Sequence, residues 1–303
     1  MRLINDHVVV TVPATSANLG PGYDSLGIAL DLVDRAELWA IAGETYVEVS
    51  GVGKNEVPTD STNLVAQAAR QALDYLGAPQ VGLHIKCRNR IPHRSGLGSS
   101  AAAIVSGIML ARGLAGEDSL SSEEVLQLAT QIEGHPDNVA PAVYGGATVA
   151  WLEKETNKAK SLALTPPTEL KCTVLTPPTG VQTSQARKVL PMQVPHWDAA
   201  FNVGRASALS LILAGVAPLE HLLDATEDEL HQEYRRQVMP ATMELVDYLR
   251  DQGLPAVISG AGPSVLVLDQ LSVELIEQAQ GAQWQVRVLD VHKEGATLRA
   301  RRL

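Results

Sequence analysis

Apolar positions along the chain follow two periods, two residues in some segments and near 3.6 in others, and each period predicts an element. Residues 8–12, "VVVTV", are β-branched throughout and predict a strand. Residues 61–76 carry Leu64, Val65, Ala68, Ala69, Ala72 and Leu76 at helical spacing, and Gly77 with Pro79 stops that helix. Residues 81–87 alternate and predict a strand. A small-residue helix is expected from Ser99 or Ser100 to near Gly113. Ser121 and Glu124 have the spacing of a capping box. The helix they open puts Val125, Leu128, Ala129 and Ile132 on one face and closes at Glu133. Residues 147–152 return as a strand. Two segments rich in turn formers, "TSANLGPGYDSLG" and "GHPDNVAPAVYGG", predict loops.

The second half has its own pattern. "EKETNKAKS" (153–161) is charged and polar, and is either a hairpin turn or a crossing between domains. The domain division is placed there, giving residues 1–160 and 161–303. Residues 171–176 predict a strand, and residues 198–214 and 241–252 predict helices. "AVISGAGPSVLVL" reads as strand, tight glycine turn, strand. Residues 272–279 follow as a helix and 284–291 as a strand. The order of one strand, helices, then two strands, a helix and a strand resembles a split βαβ, ferredoxin-like half.

Composition narrows the function. Of 303 residues 45% are hydrophobic, enough for a packed core, and only 4% are aromatic, so the core is built from Ala, Val, Leu and Ile. A formal net charge of -10 disfavours nucleic acid and anionic membranes as partners. It leaves room for a local basic pocket. Cys87 and Cys172 have neither zinc spacing nor a disulfide framework. No long apolar run follows Arg2, and no stretch approaches the roughly 20 apolar residues of a membrane span. A cytoplasmic protein is expected.

The segment "PHRSGLGSSAAA" (92–103) carries the first chemistry. A helix begins with unpaired N–H groups and partial positive charge, and glycines before it let a phosphate reach the backbone. The two serines can cap the helix, bond a phosphate oxygen or reach a metal. The other reading is a tight turn with a serine cap ahead of an ordinary buried helix. The loop is not a Walker A motif, since no Lys follows its last Gly. It is not the dinucleotide fingerprint, since Gly96-Leu97-Gly98 lacks the third glycine.

Three further segments accompany it: "PATSANLGPGYD" (13–24), "EGHPDNVAPAVYGG" (133–146) and "ISGAGPSV" (258–265). Together, in this order, they resemble the signature motifs of the GHMP family of small-molecule kinases. "TSANLGPGYD" with "HPDNVAPA" resembles the members that phosphorylate homoserine. The resemblance implies a mixed α/β (α+β) fold. Its N-terminal domain is like the second domain of ribosomal protein S5, and a ferredoxin-like domain follows.

It also implies functions for residues. ATP would lie on the loop formed by Pro92, His93, Arg94, Ser95, Gly96, Leu97, Gly98, Ser99, Ser100, Ala101 and Ala102. Asn63 matches a position that contacts adenine or ribose in relatives, and is equally a helix cap. Mg²⁺ would sit between Glu133 and Ser99 or Ser100, hard oxygens that suit that ion. An amino-acid substrate would place its ammonium on Asn18 and Asp24, with Gly260 nearby, and its carboxylate on Arg187 and Arg235, since arginine pairs carboxylates bidentately. Asn138 would hold the attacked hydroxyl, with Asp137 as the rival base. His135 reads as a loop-shaping residue.

The implied reaction is phosphorylation of L-homoserine to O-phospho-L-homoserine, in threonine biosynthesis. The alternatives are a related kinase for mevalonate, shikimate or a sugar, and a non-catalytic ligand sensor of the same fold. Many relatives are dimers; the sequence marks no interface.

Overall fold

The computed structural model describes residues 2–178 and 183–302. The elements run β1 (Asn5–Asn18), β2 (Gly22–Ile41), β3 (Tyr46–Gly51), α1 (Leu64–Tyr75), β4 (Gly82–Asn89), α2 (Ser99–Ala115), α3 (Ser122–Glu133), α4 (Val139–Tyr144), β5 (Ala147–Leu152) and β6 (Ala159–Leu164). They continue as β7 (Lys171–Thr176), α5 (Thr183–Lys188), α6 (His196–Leu213), α7 (Leu222–Ala225), α8 (Gln232–Arg235), α9 (Pro240–Asp251), β8 (Ala256–Ile258), β9 (Val265–Val267), α10 (Val273–Gly281), β10 (Gln285–Asp290) and β11 (Thr297–Arg302).

One sheet has the order β11-β1-β2-β4-β3, with β5 on β2 and β6 on β5. Its inner face buries Val8, Val10, Val12, Leu38 and Ile85 beneath α1 and α2. α2 is apolar nearly all round, and Ala101, Ala102, Ile104, Val105, Ile108 and Leu110 are all buried, as befits a helix enclosed by protein. The second sheet has the order β10-β7-β9-β8, all pairs antiparallel. Numbered within that half, the order is 4-1-3-2 with α10 crossing between the last two strands. This is the expected ferredoxin-like arrangement. Met243 and Val246 of α9 pack with Leu175, Ile258 and Val265 in a core of its own.

Four expectations change. Most of 15–27 is not loop: β1 and β2 pair through it, with Thr15 opposite Ala29, Ser16 opposite Ile28 and Ala17 opposite Gly27. Small buried residues gave those strands a turn-like composition. Turn chemistry survives only at the tip, where Asn18, Leu19, Gly20 and Asp24 all have positive φ. Residues 139–144 form a short helix instead of a loop. Its Pro141 lies in the first turn, where a missing N–H has no helical partner to lose. Residues 153–158 are a hairpin turn between β5 and β6, so the division placed at 160 falls within a strand of the first sheet. β11, which no pattern in the sequence announced, returns after the second sheet to pair with β1.

α1 and α2 touch through a glycine. A Cβ on Gly107 would stand 2.3 Å from the Val65 carbonyl oxygen and 2.7 Å from Ala68 Cβ. Alanine at this position gains helix propensity of about 1 kcal/mol over glycine. The obstructing atom is backbone and cannot swing aside, and overpacking typically costs ~1–3 kcal/mol. Gly107→Ala is therefore expected to lower the midpoint of urea unfolding; a raised midpoint would show that the two helices separate freely.

Candidate active site

The glycine loop is shaped by both backbone angle and close approach. Gly96 and Gly98 have φ of 82° and 65°. A Cβ on Gly96 would lie 2.1 Å from the Ser259 carbonyl oxygen, and one on Gly98 2.0 Å from Thr15 Oγ1. Only glycine combines that geometry with that contact. Gly98 is the cap of α2 and offers no side chain, so the first N–H groups of a 17-residue helix remain open. At the same end the Ser100 hydroxyl donates to Glu133 Oε2 at 2.7 Å. Glu133 closes α3, and Gly134 in the left-handed region turns the chain away. Of the two serines, it is thus Ser100 and not Ser99 that meets the carboxylate.

Two cavities meet at this helix start. One of about 320 Å³ is bounded by Val49, Pro58, Asn63, Val65, Cys87 and His93. A smaller one of about 170 Å³ is bounded by Asn18, Glu133, His135, Asp137, Asn138, Arg187, Arg235 and Gly260. Arg94, Ser99 and Ser100 line both. The residues expected around an amino acid are thus gathered in one place, with Asp24 just behind. Leu97, Ala101 and Ala102 are buried in the core, so only their backbone can serve a ligand. Ser95 is tied down as well: its hydroxyl donates to the Pro92 carbonyl oxygen, and its own carbonyl accepts from Ser264 N–H. Asn63 is a helix cap here. Its Oδ1 accepts from Val65 N–H and its Nδ2 donates to the Pro58 carbonyl oxygen.

Charge is distributed unevenly in the smaller cavity. Arg187 forms a bidentate fork with Asp24, at 2.6 and 3.1 Å, and also donates to Tyr23 Oη. These two charges compensate each other. Arg235 differs. It is 1% exposed, and it donates to the carbonyl oxygens of Ala186 and Gly260 and to His231 Nδ1, with the Tyr23 ring beside it. Every one of those acceptors is neutral. His231 is buried, donates through Nε2 to the Gly20 carbonyl oxygen, and has its pKa pushed down to about 4, chiefly by burial. It therefore holds the guanidinium without cancelling its charge.

Asn18 and Gly260 are engaged internally. Asn18 Oδ1 accepts from Asp24 N–H, and its Nδ2 donates to the Gly260 carbonyl oxygen. Gly260 N–H donates to the Ala17 carbonyl oxygen. Both shape the cavity wall. Asp137, 1% exposed, accepts from His135 Nδ1 and from Asn138 N–H. Asn138 Oδ1 accepts from Thr15 Oγ1 at 2.9 Å. Thr15, Tyr23 and His231 were not anticipated. Tyr23 and Thr15 stand inside the first motif, and His231 lies four residues before Arg235, one helical turn away, which was the available signal.

Comparison with known proteins fits this geometry. The description "GHMP kinases N terminal domain" matches residues 63–146, and "GHMP kinases C terminal" matches residues 212–283. A homoserine kinase of Clavibacter michiganensis subsp. michiganensis is 48% identical over 96% of this chain and 93% of its own length. The chain belongs to the GHMP kinase family. A homoserine kinase of Streptomyces avermitilis is 45% identical over 96% of the chain and 95% of its own. The crystal structure of homoserine kinase from Cytophaga hutchinsonii superposes with a TM-score of 0.83 at 28% identity, over 97% of this chain and 98% of that one. A mevalonate kinase structure shares the GHMP fold at 16% identity, with a TM-score of 0.66.

His135 supplies a test of the electrostatics in this GHMP kinase. Burial opposes a charge on its ring, but the hydrogen bond to Asp137 and the negative charges of Asp137 and Glu133 outweigh burial and raise its pKa. A raised folded-state pKa stabilises the fold fully below the ordinary histidine value, and the contribution is lost as pH rises through the folded value. NMR titration is expected to place His135 above an unperturbed histidine, and Asp137→Asn to bring it down. An unchanged His135 titration in that variant would refute the assignment.

Proposed function

We propose that this GHMP kinase transfers the γ-phosphoryl group of ATP to the side-chain hydroxyl of L-homoserine, forming O-phospho-L-homoserine on the route to threonine. Near-full-length relatives named homoserine kinase support the reading. The observation that carries it is the charge pattern of the smaller cavity. Arg235 is a buried cation whose hydrogen-bond acceptors are all neutral, and it calls for an anion such as a carboxylate. Asp24 stands ready for an ammonium, with Arg187 as its present partner. A zwitterionic amino acid satisfies all three, whereas mevalonate, shikimate or a sugar brings no ammonium for Asp24.

ATP fits the larger cavity, with its phosphates on the open N–H groups of α2 where the two cavities join. Mg²⁺ fits the Ser100 hydroxyl and Glu133 carboxylate, which supply two hard oxygens at the phosphate position. The ion, when bound, neutralises phosphate charge. Asn138 holds the acceptor hydroxyl. Phosphoryl transfer passes through a loose transition state, so alignment and charge neutralisation suffice. Asp137 is engaged with His135 and the Asn138 N–H, and the hydroxyl proton leaves to the phosphoryl group or to solvent.

The first assay is ADP release with Mg-ATP against L-homoserine, L-serine, L-threonine, mevalonate, shikimate and galactose. Turnover is expected with homoserine; turnover with mevalonate or a sugar alone removes the substrate assignment and leaves the family. Arg235→Lys is expected to raise KM for homoserine about tenfold or more and leave KM for ATP unchanged, because a point charge replaces a buried fork. Asp137→Asn that folds yet abolishes turnover would restore Asp137 as the base.

A further inference from the structure

Asn138 stands at the cap of α4 and does not cap it. Its side chain makes no hydrogen bond to the first turn, where the Ala140 N–H already donates to the Pro136 carbonyl oxygen and Pro141 has no N–H to offer. The amide is turned the other way, with Oδ1 accepting from Thr15 Oγ1 at 2.9 Å. Thr15 is fully buried in β1. Its hydroxyl is the donor, since it faces an amide oxygen, and this leaves the Asn138 NH₂ group for the smaller cavity that the side chain lines. Thr15 also reaches the glycine loop. Its N–H donates to the Leu97 carbonyl oxygen at 3.2 Å. Its Oγ1 lies so near Gly98 that a Cβ there would stand 2.0 Å away. One side chain thus touches both the residue that starts the phosphate helix and the amide that faces the acceptor.

We propose that Thr15 is a positioning residue: it fixes Asn138 with its NH₂ group toward the acceptor hydroxyl and sets that group in register with the start of α2. The inference rests on the kinase reading above. With the amide so fixed, Asn138 donates to the hydroxyl oxygen and cannot accept the hydroxyl proton. Without the Thr15 hydroxyl the amide loses the partner that fixes its oxygen and is free to rotate. Substrate and nucleotide would still bind, but fewer of the bound complexes would be aligned for transfer.

The test compares Thr15→Val, which keeps the shape and removes the hydroxyl, with Thr15→Ser, which keeps the hydroxyl. Initial rates with Mg-ATP and homoserine give kcat and both KM values, and thermal unfolding reports whether each variant folds. Thr15→Val is expected to lower kcat by about ten- to hundredfold, with both KM values within about threefold of the parent, and Thr15→Ser to stay within about threefold in kcat. Adding Thr15→Val to Asn138→Ala is expected to cost little more than Asn138→Ala alone, because Thr15 acts through the amide. A normal kcat in Thr15→Val overturns the proposal. So does equal loss in the folded Ser variant, or full multiplication of the two losses in the double variant. If Thr15→Val does not fold, Thr15→Ala takes its place against Thr15→Ser. Should the parent use another alcohol, the same series is run with that alcohol, so failure of the homoserine assignment and failure of the Thr15 assignment are read separately.

Discussion

The carbonyl oxygen of Gly260 accepts two hydrogen bonds, from Asn18 Nδ2 at 2.9 Å and Arg235 Nη1 at 2.8 Å, and three segments distant in sequence meet there. The same glycine turn reaches the glycine loop through Ser259, whose hydroxyl donates to the Gly96 carbonyl oxygen, and through Ser264, whose N–H donates to the Ser95 carbonyl oxygen. The turn of the second sheet therefore holds the glycine loop, the β1–β2 tip and the buried arginine in one frame. Burying a guanidinium without a hydrogen-bonded carboxylate is costly. Three neutral acceptors take the Nε and Nη1 donors, and no carboxylate is among them. In the proposed reading, a substrate carboxylate completes an arrangement that the fold has already desolvated.

Local chemistry was legible in the sequence. The glycine loop, the Ser121–Glu124 box and the helix faces of α1 and α3 depend on neighbours within one turn, and each stands where the pattern put it. The four motifs likewise converge on two adjoining cavities. What could not be read depends on partners far along the chain. β1 and β2 run through a turn-rich segment because each supplies the other's backbone partners and the second half buries their small side chains. The Asp24–Arg187 fork joins positions 163 residues apart, so the list of substrate ligands gave no sign that two of them bind each other. Asn63, read either as a nucleotide contact or as a cap, turned out to have its amide committed to α1. The neutral surroundings of Arg235 were invisible for the same reason.

Charge at two scales explains how an acidic protein can receive anionic ligands. The chain carries -10 overall, yet Arg94, Arg187 and Arg235 line the smaller cavity beside the open end of α2. Screening confines the field of exposed carboxylates to about 8 Å at physiological salt, while groups inside a partly dry cavity interact through a weaker dielectric. Asp24 offsets Arg187 there, and Glu133 and Asp137 share the lining, so the cationic groups left to meet an anion are Arg94, Arg235 and the open N–H groups of α2, while surface charge acts mainly on solubility.

β11 has a consequence for how the protein is made. β1 leaves the ribosome early, and β2 covers one of its edges soon afterwards. The other edge waits for residues 297–302, which are synthesised only after the whole second sheet. At roughly 5–20 residues per second the delay is on the order of tens of seconds. Throughout it, the strand that carries Thr15 and Asn18 presents an open row of backbone donors and acceptors, the kind of edge that recruits a wrong strand. A chain that has not yet made β11 thus carries β1 with the edge at residues 5–11 unpaired.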